Sequence, residues 1–227
     1  MLENTAPRLS ITGSHSETPR FSQEIIHSSG SFPFSPLFLD QNKEILLAQL
    51  VCYLPPFERA TALYEAFFRN CAWFLAPVER SHFVSEIVPQ FYPKRRPVQP
   101  GIIHAQHAHD FALLFALFAC GAAGDLTQNP TNKEAEQFST LARAALGVRS
   151  IMHGASLTGV QTLYLLAAYD VYTGEKKSQE DGWKLATLGS CMAVSVSVFR
   201  SCTGHSNEIR VDWPSSVRSF YLTCARK

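Results

Sequence analysis

Between His109 and Val198 the chain carries apolar stretches with short polar joints: HDFALLFALFACGAAGD, EAEQFSTLARAALGVRSIM, and SLTGVQTLYLLAAYDVYTG running into WKLATLGSCMAVSV. Stretches this long are helices, and such apolar helices must bury against one another. The composition permits it. The chain has 227 residues, 46% hydrophobic and only 17% charged, enough to close one substantial core. The expectation is an all-α domain, a packed array of about six or seven helices.

The remaining helices are read from periodicity and punctuation. After Pro55 and Pro56, the residues Ala60, Leu63, Tyr64, Phe67, Phe68, Cys71, Phe74 and Leu75 recur at three- and four-residue spacing, and Pro77 ends the stripe. Glu58, Arg59, Glu65, Arg69 and Asn70 fall on the other side. From Phe111 to Cys120 the next helix is apolar all round, which implies a central position, with Asp110 capping its start and Gly121 and Gly124 turning the chain. Thr131 with Glu134, and Thr158 with Gln161, match capping boxes that open two further helices. Gly147 and Gly174 mark their ends, the string GEKKSQEDG reads as a polar joint, and a last helix runs from Trp183 to about Val198. Its small residues Ala186, Gly189, Ser190 and Ala193 allow a neighbouring helix to approach closely.

Charge and chemistry narrow the function classes. Lys and Arg number 20 against 19 Asp and Glu, so the chain lacks the basic excess that a DNA-binding domain uses to neutralise phosphates. Its one dense basic cluster, Lys94, Arg95 and Arg96 between Pro93 and Pro97, reads as a solvated loop, with nuclear import or a phosphate contact as the competing reading. None of the six cysteines forms a Cys-x-x-Cys unit, so a binuclear zinc cluster is not encoded, and a reducing compartment is expected. His104, His107, His109 and Asp110 lie close in sequence but not at a recognised ligand spacing, and they read as helix-entry residues. No secretory leader and no membrane-length apolar run is seen. Ser156, Ser190 and Ser195 lack a nucleophile elbow, and no phosphate-cradling loop or His-Glu-x-x-His site occurs. No catalytic, cofactor-binding or metal-binding residue is assigned, and no enzyme activity is expected.

The order of the three apolar segments, the alanine–arginine–alanine centre of TLARAALG and the glutamine of LTGVQTLYLLAAYD resemble the regulatory middle-homology region of fungal-specific transcription factors of the xylanolytic-activator type. The stretch LPPFERATALYEAFFRNCAWFLAPVERSHF is similar to the entry of that region, closing on Phe83. The resemblance covers residues from about 52 to 196 and fails beyond them. Where family members continue with Gly-Leu-His-Arg-Asp, this chain has Ser197, Val198, Phe199, Arg200 and Ser201, so only the arginine is kept. An altered reading frame or retained intron from about Ser197 is the reading this break suggests. The organisation expected is therefore a linker or disordered segment over 1–38, a partial regulatory domain over 39–198, truncated at its C-terminal end, and a divergent tail over 199–227.

The resemblance implies nuclear location and control of RNA polymerase II transcription. DNA and zinc would be bound by a zinc-cluster domain lying outside these residues, with no cofactor in this chain. Protein partners or a homodimer are implied, and no membrane. The competing class is a stand-alone helical interaction module without DNA binding.

Overall fold

A computed structural model describes residues 21–33, 40–72, 77–127, 132–152, 154, 156–173 and 176–202, with side chains described except at 40, 41, 176, 177 and 196–202. The architecture is all-α, with no strand among the described residues. In chain order the helices are α1 (Gln23–Ser31), α2 (Asp40–Val51), α3 (Phe57–Asn70), α4 (Arg80–His82), α5 (Val88–Phe91), α6 (Ala108–Ala123), α7 (Lys133–Val148), α8 (Leu157–Thr173) and α9 (Lys176–Cys202). A π turn, Phe83–Ile87, joins α4 to α5 in one continuous helical run. There the Val88 N–H reaches back to the Phe83 carbonyl, and the next residue, Pro89, has no N–H with which to resume the ordinary ladder.

The core is built around α6, as its uniform apolarity requires. From Phe111 to Ala122 every residue is buried, and the helix packs against α3, α7 and α8. A relay of rings runs through it. Phe91 stacks on Phe111 at 4.9 Å, Phe111 meets Phe115 at 4.6 Å, and Phe138 of α7 closes on both Phe115 and Phe118. Each fully buried Phe contributes roughly 1.5–3 kcal/mol relative to an exposed one. The α3 stripe behaves as its spacing predicts, with Ala60, Leu63, Tyr64, Phe67 and Cys71 buried and Glu58 and Arg69 exposed.

Several local expectations are corrected. Gly121 does not turn the chain. It lies inside α6, where α3 crosses so closely that a Cβ there would stand 2.1 Å from the Leu63 carbonyl oxygen. The turn comes at Gly124, which caps the helix. Helix α3 ends at Asn70, before Pro77, with Phe74 and Leu75 outside the described residues. Asp110 is not the cap of α6. It sits in the first turn, 3.4 Å from His107 Nδ1. Helix α7 is capped by Asn132, whose side chain accepts from the Ala135 N–H at 2.6 Å, while Thr131 lies outside the described residues. The carboxylate of Glu134, released from a capping box, pairs with Arg59 of α3. Helix α8 is capped by Ser156, which accepts from the Gly159 N–H at 3.1 Å, and Gln161 instead donates to the Pro77 carbonyl at 2.7 Å.

Two boundaries move further. The segment 1–38, expected to be a linker, contains α1. Ser22 caps it, Ile25 is fully buried, and the Ser28 hydroxyl donates to the Ala144 carbonyl of α7 at 3.1 Å. A single apolar residue and one serine anchor this helix, too little to show as a period. At the other end, most of GEKKSQEDG is helical, because α9 begins at Lys176 and continues unbroken past Ser197 to Cys202. The change in sequence pattern at Ser197 is thus not a break in the backbone helix. Of the small residues expected to face a neighbouring helix, Ala186 and Gly189 are buried, and α9 also comes close to α8 at Gly182, where a Cβ would lie 2.9 Å from the Ala167 carbonyl oxygen.

Candidate functional site

The arginine at the centre of TLARAALG is the most informative polar residue in the fold. On α7 its neighbours Ala142, Ala144 and Ala145 are buried, so the backbone carries Arg143 to the edge of the core, beside α8. There its Nη2 donates to both carboxylate oxygens of Asp170, at 2.6 and 2.7 Å, and its Nη1 donates to the Ser139 hydroxyl one turn back. The Asp170 side chain is only 6% exposed and that of Arg143 23%, so the pair is shielded from water. Burial pushes the Asp170 carboxyl above its usual value, and Arg143 opposes that rise.

This pair lies at the junction of two clefts. The larger, about 680 Å³, opens between the end of α1, α8 and the start of α9, with an apolar wall of Phe32, Pro33, Leu185 and Leu188. Its rim carries Lys184, which pairs with Asp181 at 2.8 Å. The smaller, about 350 Å³, lies on the other side of the pair and is polar, lined by Asn132, Glu136, Thr140 and Thr173 among others. Arg143, Asp170 and Ser178 line both. A cavity of a few hundred cubic ångströms with an apolar wall and a few convergent polar groups is the usual form of a small-molecule site.

The histidines expected at the α6 entry separate in space and role. His104 is exposed and His107 half-buried, whereas His109 is buried with both ring nitrogens engaged. Its Nε2 donates to the Arg149 carbonyl at 3.0 Å, which leaves Nδ1 to accept from the Ser156 hydroxyl at 2.6 Å. Burial lowers its pKa, so the ring stays neutral where a solvated imidazole would charge. The residue therefore clasps the start of α6 to the α7–α8 connection. Among the described residues, no group of three or more His, Cys, Asp or Glu could hold a metal ion.

The cysteines divide by exposure. Burial pushes the Cys71 thiol up to about 11 and raises the Cys120 thiol well above its usual value, which makes both poor nucleophiles. Cys52 and Cys191 are exposed free thiols. The basic cluster is exposed, and Lys94 and Arg95 both take left-handed backbone angles, φ 54° and 61°, with the Arg95 guanidinium 5.9 Å from the centre of the Phe57 ring. No helix among the described residues is long and apolar enough to cross a membrane.

The sequence alone assigns no site and marks Arg143 only as the centre of an alanine–arginine–alanine motif. The available signal was the isolated Asp170 inside LYLLAAYDVY, an acidic residue in a stretch that otherwise demands burial. Comparison with known proteins adds no relative: no family model matches the chain, and neither a curated protein nor a solved structure matches it.

Proposed function

We propose that the chain is a regulatory region of a transcription factor of the fungal-specific class, acting in the nucleus on RNA polymerase II transcription. Its mode of action is contact with an effector or a protein partner, and DNA recognition is left to a separate zinc-cluster domain. The observation that carries this reading joins the resemblance to the geometry. The arginine of the second apolar segment and the aspartate of the third, both within the stretches that carry the resemblance, meet in a shielded ion pair at the foot of a cleft. A pair so placed gives a regulatory domain a polar element that a ligand or partner can engage, beside a cleft with apolar lining residues.

The test is a tethered reporter. The full chain, fused to an unrelated DNA-binding module, should change reporter output relative to the module alone, and Asp170→Asn should alter that change. A fusion that accumulates in the nucleus at normal levels and leaves the reporter at the level of the module alone would reject the proposal.

A further inference from the structure

We infer that the cleft over Arg143 and Asp170 binds a small uncharged molecule with an apolar, ring-sized body and an amide-like edge, in which a hydrogen-bond donor sits beside an acceptor. At about 680 Å³ the cleft has room for a ligand of ring size or larger, and Phe32, Pro33, Leu185 and Leu188 give it apolar lining.

A guanidinium has five N–H donors, and the three hydrogen bonds from Arg143 to Asp170 and Ser139 come from its two terminal nitrogens alone. Each carboxylate oxygen of Asp170 keeps a further lone pair. The two groups thus offer donors next to acceptors, the complement of an amide, lactam or urea edge.

Among the described residues, the two clefts are lined by two cations, Arg143 and Lys184, and three carboxylates, Glu136, Asp170 and Asp181, of which Glu136 lines the smaller cleft alone. Arg143 is already matched by Asp170 and Lys184 by Asp181. In the larger cleft the described charges match one for one, so an anionic ligand would gain a cation only by displacing Asp170 from Arg143 or Asp181 from Lys184. A cation would find Glu136 only in the smaller, polar cleft, away from the apolar wall.

The inference goes beyond a role in transcription and stands apart from it, since the reporter can fail while binding succeeds. Three probes with one phenyl body test it: benzamide, benzoate and benzamidine, titrated into the full chain and followed by the methyl resonances of Leu185 and Leu188. Benzamide should shift those resonances and bind at least ~10-fold more tightly than either charged probe, a gap of about 1.4 kcal/mol. Leu188→Glu, which places a charge in the apolar wall and leaves the ion pair in place, should weaken benzamide by a similar factor. Asp170→Asn should do the same if it folds, with the Leu188 variant deciding the matter if it does not. Benzoate or benzamidine binding as tightly as benzamide, shifts that avoid Leu185 and Leu188, or no saturable binding by any of the three would overturn the inference.

Discussion

Helix α6 and the face between α7, α8 and α9 are made from the same stretch of apolar sequence, yet they bury different things. Around α6 the buried side chains from Phe111 through Ala122 carry only carbon and thiol, and the phenylalanine rings pack against one another. Across α7 and α8 the interior encloses a charged pair, and the surface above it opens into two clefts. Shape complementarity suffices for the first region. In the second, the desolvation of two charges offsets their attraction, so the pair adds little to stability beyond what an apolar pair of similar size would give. The difference separates what holds the fold from what is available to a ligand.

The contrast can be broken at its strongest point first. Phe115→Ala removes a fully buried ring in contact with Phe111 and Phe138, and it should cost about 3–5 kcal/mol, read as a drop in the denaturant midpoint. Gly121→Ala should cost up to about 3 kcal/mol, since its methyl would collide with the Leu63 backbone and the two helices must separate. Unfolding curves of Gly30→Ala, where nothing lies within 4 Å of the added carbon, supply the control for helix propensity.

Acid sharpens the comparison in a different way. The folded state holds His109 neutral below the pH at which the unfolded chain protonates it, so the unfolded state takes up the extra proton there. Stability should therefore fall as pH drops below the ordinary histidine value. His109→Gln, monitored by melting temperature between pH 7.5 and 5.5, should show a shallower decline than the parent. Asp170 acts with the opposite sign. Its raised carboxyl keeps a proton that the unfolded chain has released, so this group's contribution to stability falls as pH rises from the ordinary aspartate value to its own. At the cleft rim, the exposed Lys184–Asp181 pair should matter least, and Lys184→Ala should leave the midpoint unchanged within error.

How much of this was legible before the structure follows the same division. Periodicity located the buried face of α3 and the central place of α6, because a helix apolar on all sides has nowhere else to go. It misjudged the helix starts, since Asn132 and Ser156 lie one and two positions from the threonines that fit a capping box and only geometry decides which oxygen meets the free amide. It could not see α1, whose anchorage is one isoleucine and a serine bonded across 116 positions of sequence. Gly121 was misread for a related reason. A glycine that permits a crossing looks in sequence like one that permits a turn. The cleft was invisible because Arg143 and Asp170 are 27 positions apart, and although Asp170 stands out in an apolar stretch, nothing in the sequence names Arg143 as its partner. Their pairing is a product of how α7 and α8 cross.

The central claim is that the Arg143–Asp170 pair serves the cleft and is not what holds the helices together. Denaturation of the double variant Arg143→Met with Asp170→Leu, set beside the parent, tests it most directly. The account predicts a midpoint equal to or above that of the parent, although Asp170→Leu alone, which strands the arginine, should lower it by about 3 kcal/mol. A double variant that loses as much stability as the single one would contradict the claim and make the pair part of the scaffold.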